Sequence, residues 1–332
     1  MKVKAFLLLG LVLSHLVGEC RTGAFVESET IAIKTYPYSD PDPVPSPRAR
    51  YYPYFRYDGS TTGAVMRSWH FVVLENERVR VRILPDVGGK VWSATDKVTG
   101  RDFLYCNHVM KFRDVAMRGP WVSGGIEFNF GIIGHAPTSS TPVDWIARTN
   151  SDGSVSCFVG ANERVSRTFW QVEIRLAPGQ DYFETRTGWF NSSGLPAPLY
   201  QWMNAAYSVR NDPEFVFPGK FVVGHEGEVT TRNWPLDDDN HHLDRYSGNA
   251  FGGPKSYHVL PGDNGYYAIW WPDLGFGSYH RNADYEKFGR KIWLWALSRE
   301  GGIWEDLLTD EDGQYAELQS GLCFNQPRNA NY

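Results

Sequence analysis

Residues 76–105, NERVRVRILPDVGGKVWSATDKVTGRDFLY, contain the pattern that decides the fold. In RVRVRIL (78–84), arginines alternate with Val79, Val81 and Ile83, an alternation typical of a half-buried β-strand. The clusters PDVGGK and DKVTGRD that follow are rich in Gly, Pro and Asp, and they predict turns. This stretch therefore predicts short strands joined by tight turns.

The same pattern recurs along the chain. QVEIRLA (171–177) repeats the alternation, and KFVVG (220–224) and KIWLWAL (291–297) predict further strands. No amphipathic helical pattern of convincing length accompanies them. The sequence therefore predicts an all-β fold, a large antiparallel β-sandwich over residues 61–332 with no separate second domain.

Composition limits the function. With 332 residues, a formal charge of −5, a pI near 6.0 and no basic stripe, the chain lacks the features of a nucleic-acid-binding protein. Aromatic residues make up 15 %, including 13 Trp. Such a content serves either a β core or a carbohydrate-binding cleft, where indole rings stack on the apolar faces of sugars.

The N-terminus has the layout of a secretory signal. Residues 1–20 begin with Lys2 and Lys4, continue through an apolar stretch too short to span a bilayer, and end in small or polar residues. No later stretch is apolar enough for a membrane span. We expect an exported, soluble protein, extracellular or, in a bacterium, periplasmic.

Residues 21–60 are expected to form an extended strap. Ile31 to Lys34 could form an edge strand, and six prolines between positions 37 and 53 then favour an extended path. The tyrosines of this segment favour packing against the domain over a free linker.

Of the cysteines, Cys20 lies at or before the cleavage point. Cys106, Cys157 and Cys323 then form at most one disulfide, or remain buried thiols.

Three stretches carry polar groups among glycines and aromatics. In GPWVSGGIEFNFGIIGHAP (119–137), Glu127 and Asn129 share one side of a predicted strand, and His135 follows in a Gly-bounded loop. His280 lies in GFGSYHRNAD (275–284). If 314–322 is a strand, Tyr315, Glu317 and Gln319 share a face. For Glu127 and both histidines, a purely structural role is the alternative.

Other constellations are weaker. DDDNHHLD (237–244) has no fixed metal-ligand spacing and is better explained as a solvated loop. Motifs for zinc, nucleophilic serine or phosphate binding are absent from the sequence, so we predict neither a metal nor a cofactor. In TDEDGQYAELQSG (309–321), Asp312 precedes Gly313 and is expected to shape a turn, whereas Glu317 lies within the strand.

The sequence resembles a known superfamily. Residues 76–105 resemble the opening of galactose mutarotase-like proteins, and AELQSGLCFNQP (316–327) resembles the ending of aldose 1-epimerases. GPWVSGGIEFNF, GIIGHAP and LTDEDGQYAEL are still more similar to an uncharacterised bacterial domain family of that superfamily, often fused to tetratricopeptide repeats. The resemblance covers residues 28 to 328 and implies a galactose mutarotase-like sandwich.

The resemblance also implies roles for single residues. Glu317 matches the catalytic base of aldose 1-epimerases. Their acid histidine falls where YQWMNAAY (200–207) has Trp202, although Asn204 is kept. His135 or His280 then replaces that acid, or Glu127 pairs with Glu317. The residues expected to bind substrate are Trp121, Asn129, Trp202, Asn204, Asp312, Tyr315 and Gln319.

Three function classes follow. The first is an enzyme doing acid–base chemistry at the anomeric centre of a sugar, either an isomerase of the epimerase type or a glycoside hydrolase. The second is a non-catalytic carbohydrate-binding protein. The third, a polysaccharide lyase, is disfavoured because lyases use Arg, Lys or metal against uronates and the predicted site looks acidic. The expected partner is a mono-, oligo- or polysaccharide.

Overall fold

The computed structural model describes most of the chain outside its two termini. The described residues are 22–38, 59–116, 119–131, 135–163, 166–197, 199–224, 231–251, 255–259, 265–282, 289–295 and 297–322. The expected signal (1–20), most of the proline-rich strap (39–58), Cys20 and Cys323 lie outside these ranges. No helix within them is long and apolar enough to cross a membrane.

One thirteen-stranded sheet dominates the fold, as the alternating sequence pattern predicts. Its neighbouring strands pair antiparallel, apart from one short parallel pairing. Its strands are β1 (Phe25–Tyr36), β2 (Val65–Glu75), β3 (Val79–Leu84), β4 (Lys90–Asp96), β5 (Arg101–Asp102), β6 (Val109–Lys111), β9 (Ile126–Gly131), β14 (Tyr200–Ser208), β16 (Phe221–Val223), β17 (Thr231–Asn233), β18 (Lys255–Val259), β21 (Gly289–Leu294) and β22 (Tyr315–Gly321).

Three smaller sheets complete the architecture. The first pairs β7 (Arg113–Ala116) with β8 (Gly119–Trp121). The second contains four strands, β10 (Asp144–Thr149), β11 (Val155–Glu163), β12 (Thr168–Leu176) and β13 (Glu184–Phe190). The third contains three strands, β15 (Glu214–Val216), β19 (Tyr266–Trp271) and β20 (Phe276–Arg281). Short 3-10 turns occupy Pro137–Ser140, Ser247–Asn249 and Pro272–Leu274, and α1 (Arg299–Leu308) precedes β22.

The main core lies between one face of the large sheet and the two larger of these small sheets. Phe130 of the large sheet stacks on Trp170 of β12, with ring centroids 4.8 Å apart. An aromatic pair of this kind adds about 1 kcal/mol to what the buried area contributes. The all-β sandwich prediction is confirmed, and the opposite face of the large sheet is left to carry polar groups.

Two details differ from the sequence prediction. The N-terminal strand is longer than Ile31 to Lys34: β1 pairs with β2 over eleven residues and carries β6 on its other side. Helix α1 was not predicted.

Cys106 and Cys157 are free thiols, so they do not form a disulfide with each other. Burial raises the pKa of both thiols to about 12.

Candidate active site

Strand register places the predicted polar residues on one face of the large sheet. Glu127 of β9 lies opposite Asn204 of β14, Asn204 opposite Gln319 of β22, and Gln319 opposite Lys291 of β21. Residues directly opposite each other in an antiparallel pair project from the same face. Their sequence neighbours, such as Phe128, project into the main core instead.

Glu127 is the most constrained carboxylate of this face. It is 4 % exposed and accepts a hydrogen bond from the indole N–H of Trp121 at 2.8 Å. His135 Nδ1 lies 2.9 and 3.0 Å from its two oxygens. Burial alone would raise the pKa of Glu127, but the charge and hydrogen bond of His135 lower it to about 2. Glu127 is therefore ionised at neutral pH.

This contact favours the protonated form of His135. Burial opposes its protonation, but the Glu127 carboxylate raises the pKa of His135 above its ordinary value, and Glu317 acts in the same direction. Asn129 fixes the loop, because its side-chain oxygen accepts the backbone N–H of Ala136 at 2.7 Å. With Nδ1 engaged by Glu127, Nε2 is the nitrogen left to act on a substrate.

The His135 ring lies edge-on to Trp202, with centroids 4.9 Å apart, and to Trp121 at 5.5 Å. Trp202 occupies the position at which the family resemblance places an acid histidine. The loop after β9 therefore places His135 beside Trp202, the residue that stands where the resemblance expects the acid histidine. Of the two histidines considered from the sequence, His135 is the one that joins this face.

Glu317 lies at the centre of β22, between β14 and β21, and is 5 % exposed. Gln319 donates to it at 2.6 Å. Burial raises the pKa of Glu317, and the nearby Glu127 charge acts in the same direction, while His135, Asn204 and Gln319 oppose the rise. The result is a partly desolvated carboxylate that binds a proton more readily than an ordinary glutamate.

Two buried lysines on the same face were missed in the sequence. Lys90 is 2 % exposed and donates to the Val122 carbonyl at 2.8 Å, and Lys291 is 5 % exposed. Burial lowers the pKa of both, to about 8 for Lys90, while Glu317 opposes the shift. The face is therefore not uniformly acidic, which corrects the sequence-based picture. Two sequence features could have indicated these lysines: Lys90 follows a Gly-Gly turn, and Lys291 begins an alternation with Trp293.

Tyr315 is fully buried on this face, and its ring lies 4.6 Å from that of Trp295 and 4.8 Å from that of Tyr105. Burial raises the pKa of Tyr315 well above its ordinary value, and the Glu317 charge adds to the effect. Together with Trp121 these rings form an aromatic cluster beside Glu317. Part of the unusual tryptophan content thus surrounds the candidate site.

His280 lies elsewhere, which removes it as a partner of Glu317. It belongs to β20 of the three-stranded sheet, which packs on the core face of the large sheet. Its Nε2 is hydrogen-bonded to the Tyr207 hydroxyl, and its Nδ1 lies 3.1 Å from the Tyr267 hydroxyl. Burial lowers the pKa of His280 to about 4. These contacts hold His280 within the fold, so the alternative in which His280 replaces the acid histidine opposite Glu317 does not fit the structure.

The acidic loop before β22 shapes the chain, as predicted, but Asp312 is not placed to bind substrate. Asp312 accepts the His108 backbone N–H at 2.8 Å and contacts His108 Nδ1 at 2.7 Å. Asp310 has a role that the sequence did not indicate. It contacts Lys34 and Lys111, both at 2.6 Å, and ties β1 to this loop.

Other recesses and clusters of the described residues lie apart from this face. A recess of about 500 Å³ is lined by Lys34, Tyr36 and Asp310 among others, and one of about 630 Å³ by His241, His242 and Phe251 among others. Asp237, Asp239 and His241 bring potential metal ligands within 4.8 Å of one another. Asp237 already accepts the backbone N–H groups of Asp239 and His241.

The family model described as "Domain of unknown function (DUF5107)" matches residues 47–332. The chain belongs to this family. A TPR-domain containing protein from Parabacteroides distasonis has a similar structure, with 27 % sequence identity and a TM-score of 0.81. The similarity covers 92 % of this chain and 52 % of that protein, so this DUF5107 chain spans about half of its relative's length.

More distant structures share the fold. A galactose mutarotase-like protein from Clostridium acetobutylicum is 12 % identical with a TM-score of 0.55, covering 80 % of this chain and 88 % of that one. Another from Lactobacillus casei is 10 % identical with a TM-score of 0.54, covering 78 % and 90 %. The galactose mutarotase-like fold that the resemblance implies is confirmed.

Proposed function

We propose that this DUF5107 domain catalyses proton transfer at the anomeric centre of a sugar, in the manner of an aldose 1-epimerase. The observation that carries the proposal is that Glu317 and His135 lie over one sheet face, close enough for each to shift the pKa of the other. Glu317 is a carboxylate with a raised pKa, and His135 is an imidazole whose pKa the Glu127 carboxylate raises. Acid–base catalysis at one small ring needs two such groups of opposite protonation.

The proposed reaction uses both groups at once. Glu317 accepts the proton of the C1 hydroxyl while His135 Nε2 donates a proton to the ring oxygen, and the bond between C1 and the ring oxygen breaks. The open-chain aldehyde then closes with its other face exposed, and the two protons return. No atom is gained or lost, so no cofactor enters the reaction.

The surroundings of the pair support a polyhydroxyl ligand. Within the described residues, Trp202 Nε1, Asn204 Oδ1 and Asn129 Nδ2 are buried and lack a hydrogen-bond partner. Buried polar groups are normally satisfied, and a ligand is one way to satisfy them. Sugar hydroxyls both donate and accept, and the ring of Trp202 offers an apolar surface for stacking.

Glycoside hydrolysis by two carboxylates is less well supported. Such a mechanism needs one protonated carboxyl group as general acid. The carboxyl group of this face with a raised pKa is Glu317, so Glu127, with a pKa of about 2, would have to be the nucleophile or the base that acts on water. Glu127 is instead engaged directly by Trp121 and His135, which suits a group that orients an imidazole.

The test is a screen of the purified protein against freshly dissolved aldoses, followed by polarimetry, with aryl glycosides and polysaccharides in parallel. We expect faster anomer interconversion for at least one aldose and no release from aryl glycosides. Binding of a sugar without any turnover would favour the non-catalytic carbohydrate-binding alternative instead.

Export is a separate part of the proposal and rests on residues 1–20. We expect the mature protein outside the cytoplasm with those residues removed, and N-terminal sequencing of the exported protein checks this. Recovery of an intact N-terminus from the cytoplasm alone would contradict it.

A further inference from the structure

Lys90 is a buried charge that the proposed reaction does not use. It is 2 % exposed, and its ammonium group donates a hydrogen bond to a neutral group, the Val122 carbonyl, at 2.8 Å. A buried ammonium group without a contacting carboxylate costs several kcal/mol. Such a charge therefore calls for an explanation beyond packing.

The position of Lys90 is tightly fixed. It follows Gly88 and Gly89, which both adopt positive φ, at 69° and 66°. A Cβ atom on Gly89 would lie 2.7 Å from the Val159 side chain, and one on Gly88 would lie 2.7 Å from the Ser139 carbonyl oxygen. This turn therefore packs too closely for residues larger than glycine. It holds the start of β4 against β11 of the four-stranded sheet.

Lys90 is linked to His135 through a short chain of contacts. Its ammonium group holds the carbonyl of Val122, the residue after Trp121. Trp121 donates to Glu127, which contacts His135. The charge of Lys90 also interacts with Glu127 and Glu317, although neither is in direct contact.

We infer that Lys90 is a positioning residue of the proposed site: its charge favours the ionised form of both glutamates, and its hydrogen bond fixes the segment that orients Glu127 and His135. This inference rests on the proposed function for its catalytic meaning. The titratable groups that interact with Lys90 are Glu127, Glu317 and Cys106, and those that interact with Glu317 include His135, Glu127, Lys291, Lys90 and Tyr315.

The direct test is the Lys90→Met variant, which keeps the length of the side chain and removes its charge. Carboxyl carbon NMR on glutamate-labelled protein would follow Glu317, with its signal assigned from Glu317→Gln. We expect the titration midpoint of Glu317 to rise by about one pH unit in Lys90→Met. Lys220→Met, at an exposed lysine, should leave the midpoint unchanged.

A folded Lys90→Met protein with an unchanged Glu317 midpoint would overturn the inference. If that variant does not fold, the reciprocal measurement decides: by linkage, Glu317→Gln must lower the pKa of Lys90 by a similar amount. An unchanged Lys90 pKa would then overturn it.

These readouts need no substrate, so they separate the inference from the proposed function. With an active sugar in hand, the acidic limb of the rate profile should move to higher pH in Lys90→Met by the same amount. Failure of every sugar in the screen would remove the proposed reaction, while a shifted Glu317 midpoint would still support the electrostatic role of Lys90.

Discussion

At the scale of single residues, the Glu127–His135 contact decides what His135 can do. The carboxylate outweighs the effect of burial, so the pKa of His135 stays above its ordinary value and the protonated imidazole that an acid needs is favoured. Without that carboxylate, burial would dominate and would favour the neutral imidazole. Glu127 thus determines whether an acid is available opposite Glu317.

The Glu127→Gln variant tests this dependence. We expect the pKa of His135, followed by imidazole NMR, to fall from above 6.5 to below it, because an amide supplies no negative charge. The Glu311→Gln variant, at an exposed glutamate of another loop, is the matched control and should leave the pKa of His135 unchanged. A His135 pKa that stays raised in the variant would show that Glu127 is not its cause.

Sequence reasoning identified Glu127, His135, Glu317 and Gln319, because strand alternation and the family resemblance both bear on them. It could not decide between His135 and His280, since both follow glycines and aromatics. What separates them is sheet membership, a long-range property: β20 packs on the core face, whereas the loop after β9 returns to the polar face. Lys90 was missed for a similar reason, because only the sheet shows which side chains it adjoins.

At the scale of elements, β20 depends on a neutral histidine. His280 lies between Tyr207 and Tyr267 at the contact between two sheets, and its pKa is lowered to about 4. A histidine whose pKa is depressed in the folded state is protonated first in the unfolded chain. Its contribution to stability is therefore complete above pH 6.5 and is lost as the pH falls from 6.5 towards 4.

We expect wild-type protein to lose up to about 3 kcal/mol of unfolding free energy from His280 over that interval. The His280→Gln variant, which keeps hydrogen-bonding groups but does not titrate, should lack this part of the pH dependence. Urea unfolding at several pH values measures both proteins. Parallel pH dependences for the two would contradict the assignment.

Strands were more predictable than helix α1. β3, β12 and β21 follow alternating patterns, and these patterns are local. Helix α1 contains Gly301 and Gly302, which disfavour helix, so its sequence gives a weak signal. The helix is stabilised by the Ser298 side chain, which accepts the Gly301 N–H, and by Leu308 and Trp304 packing against the aromatic cluster. Tertiary contacts overrode local preference here.

At the scale of the whole molecule, the N-terminal strand is part of the domain. β1 precedes the residues matched by the family model, yet it pairs with β2 along most of its length. Lys34 and Tyr36 also contact Asp310, 2.6 and 2.7 Å away, in the loop that leads into β22. Strand β1 is therefore joined directly to the loop that precedes the strand carrying Glu317.

Removal of residues 22–36 should destabilise the domain, since it exposes the buried cluster around Trp69 and Phe71. We expect a lower Tm and increased binding of a hydrophobic dye. The Asp310→Asn variant isolates the loop contact and should have a smaller effect. An unchanged Tm after loss of β1 would contradict its place in the sheet.

Deletion of residues 37–57, within the predicted strap, is a separate test of whether the tyrosines of that segment pack on the domain.

If Glu317 is the base, removal of its carboxylate must slow the reaction itself, and a comparison of two glutamate variants measures this. Exchange NMR would measure the rate of anomer interconversion for wild type, Glu317→Gln and Glu311→Gln on the aldose found in the screen. We expect Glu317→Gln to lose about 10²-fold or more in rate while remaining folded and binding sugar. Glu311, an exposed residue with φ of 66° in the preceding loop, should be close to neutral on substitution. Equal rates for Glu317→Gln and wild type would contradict the account.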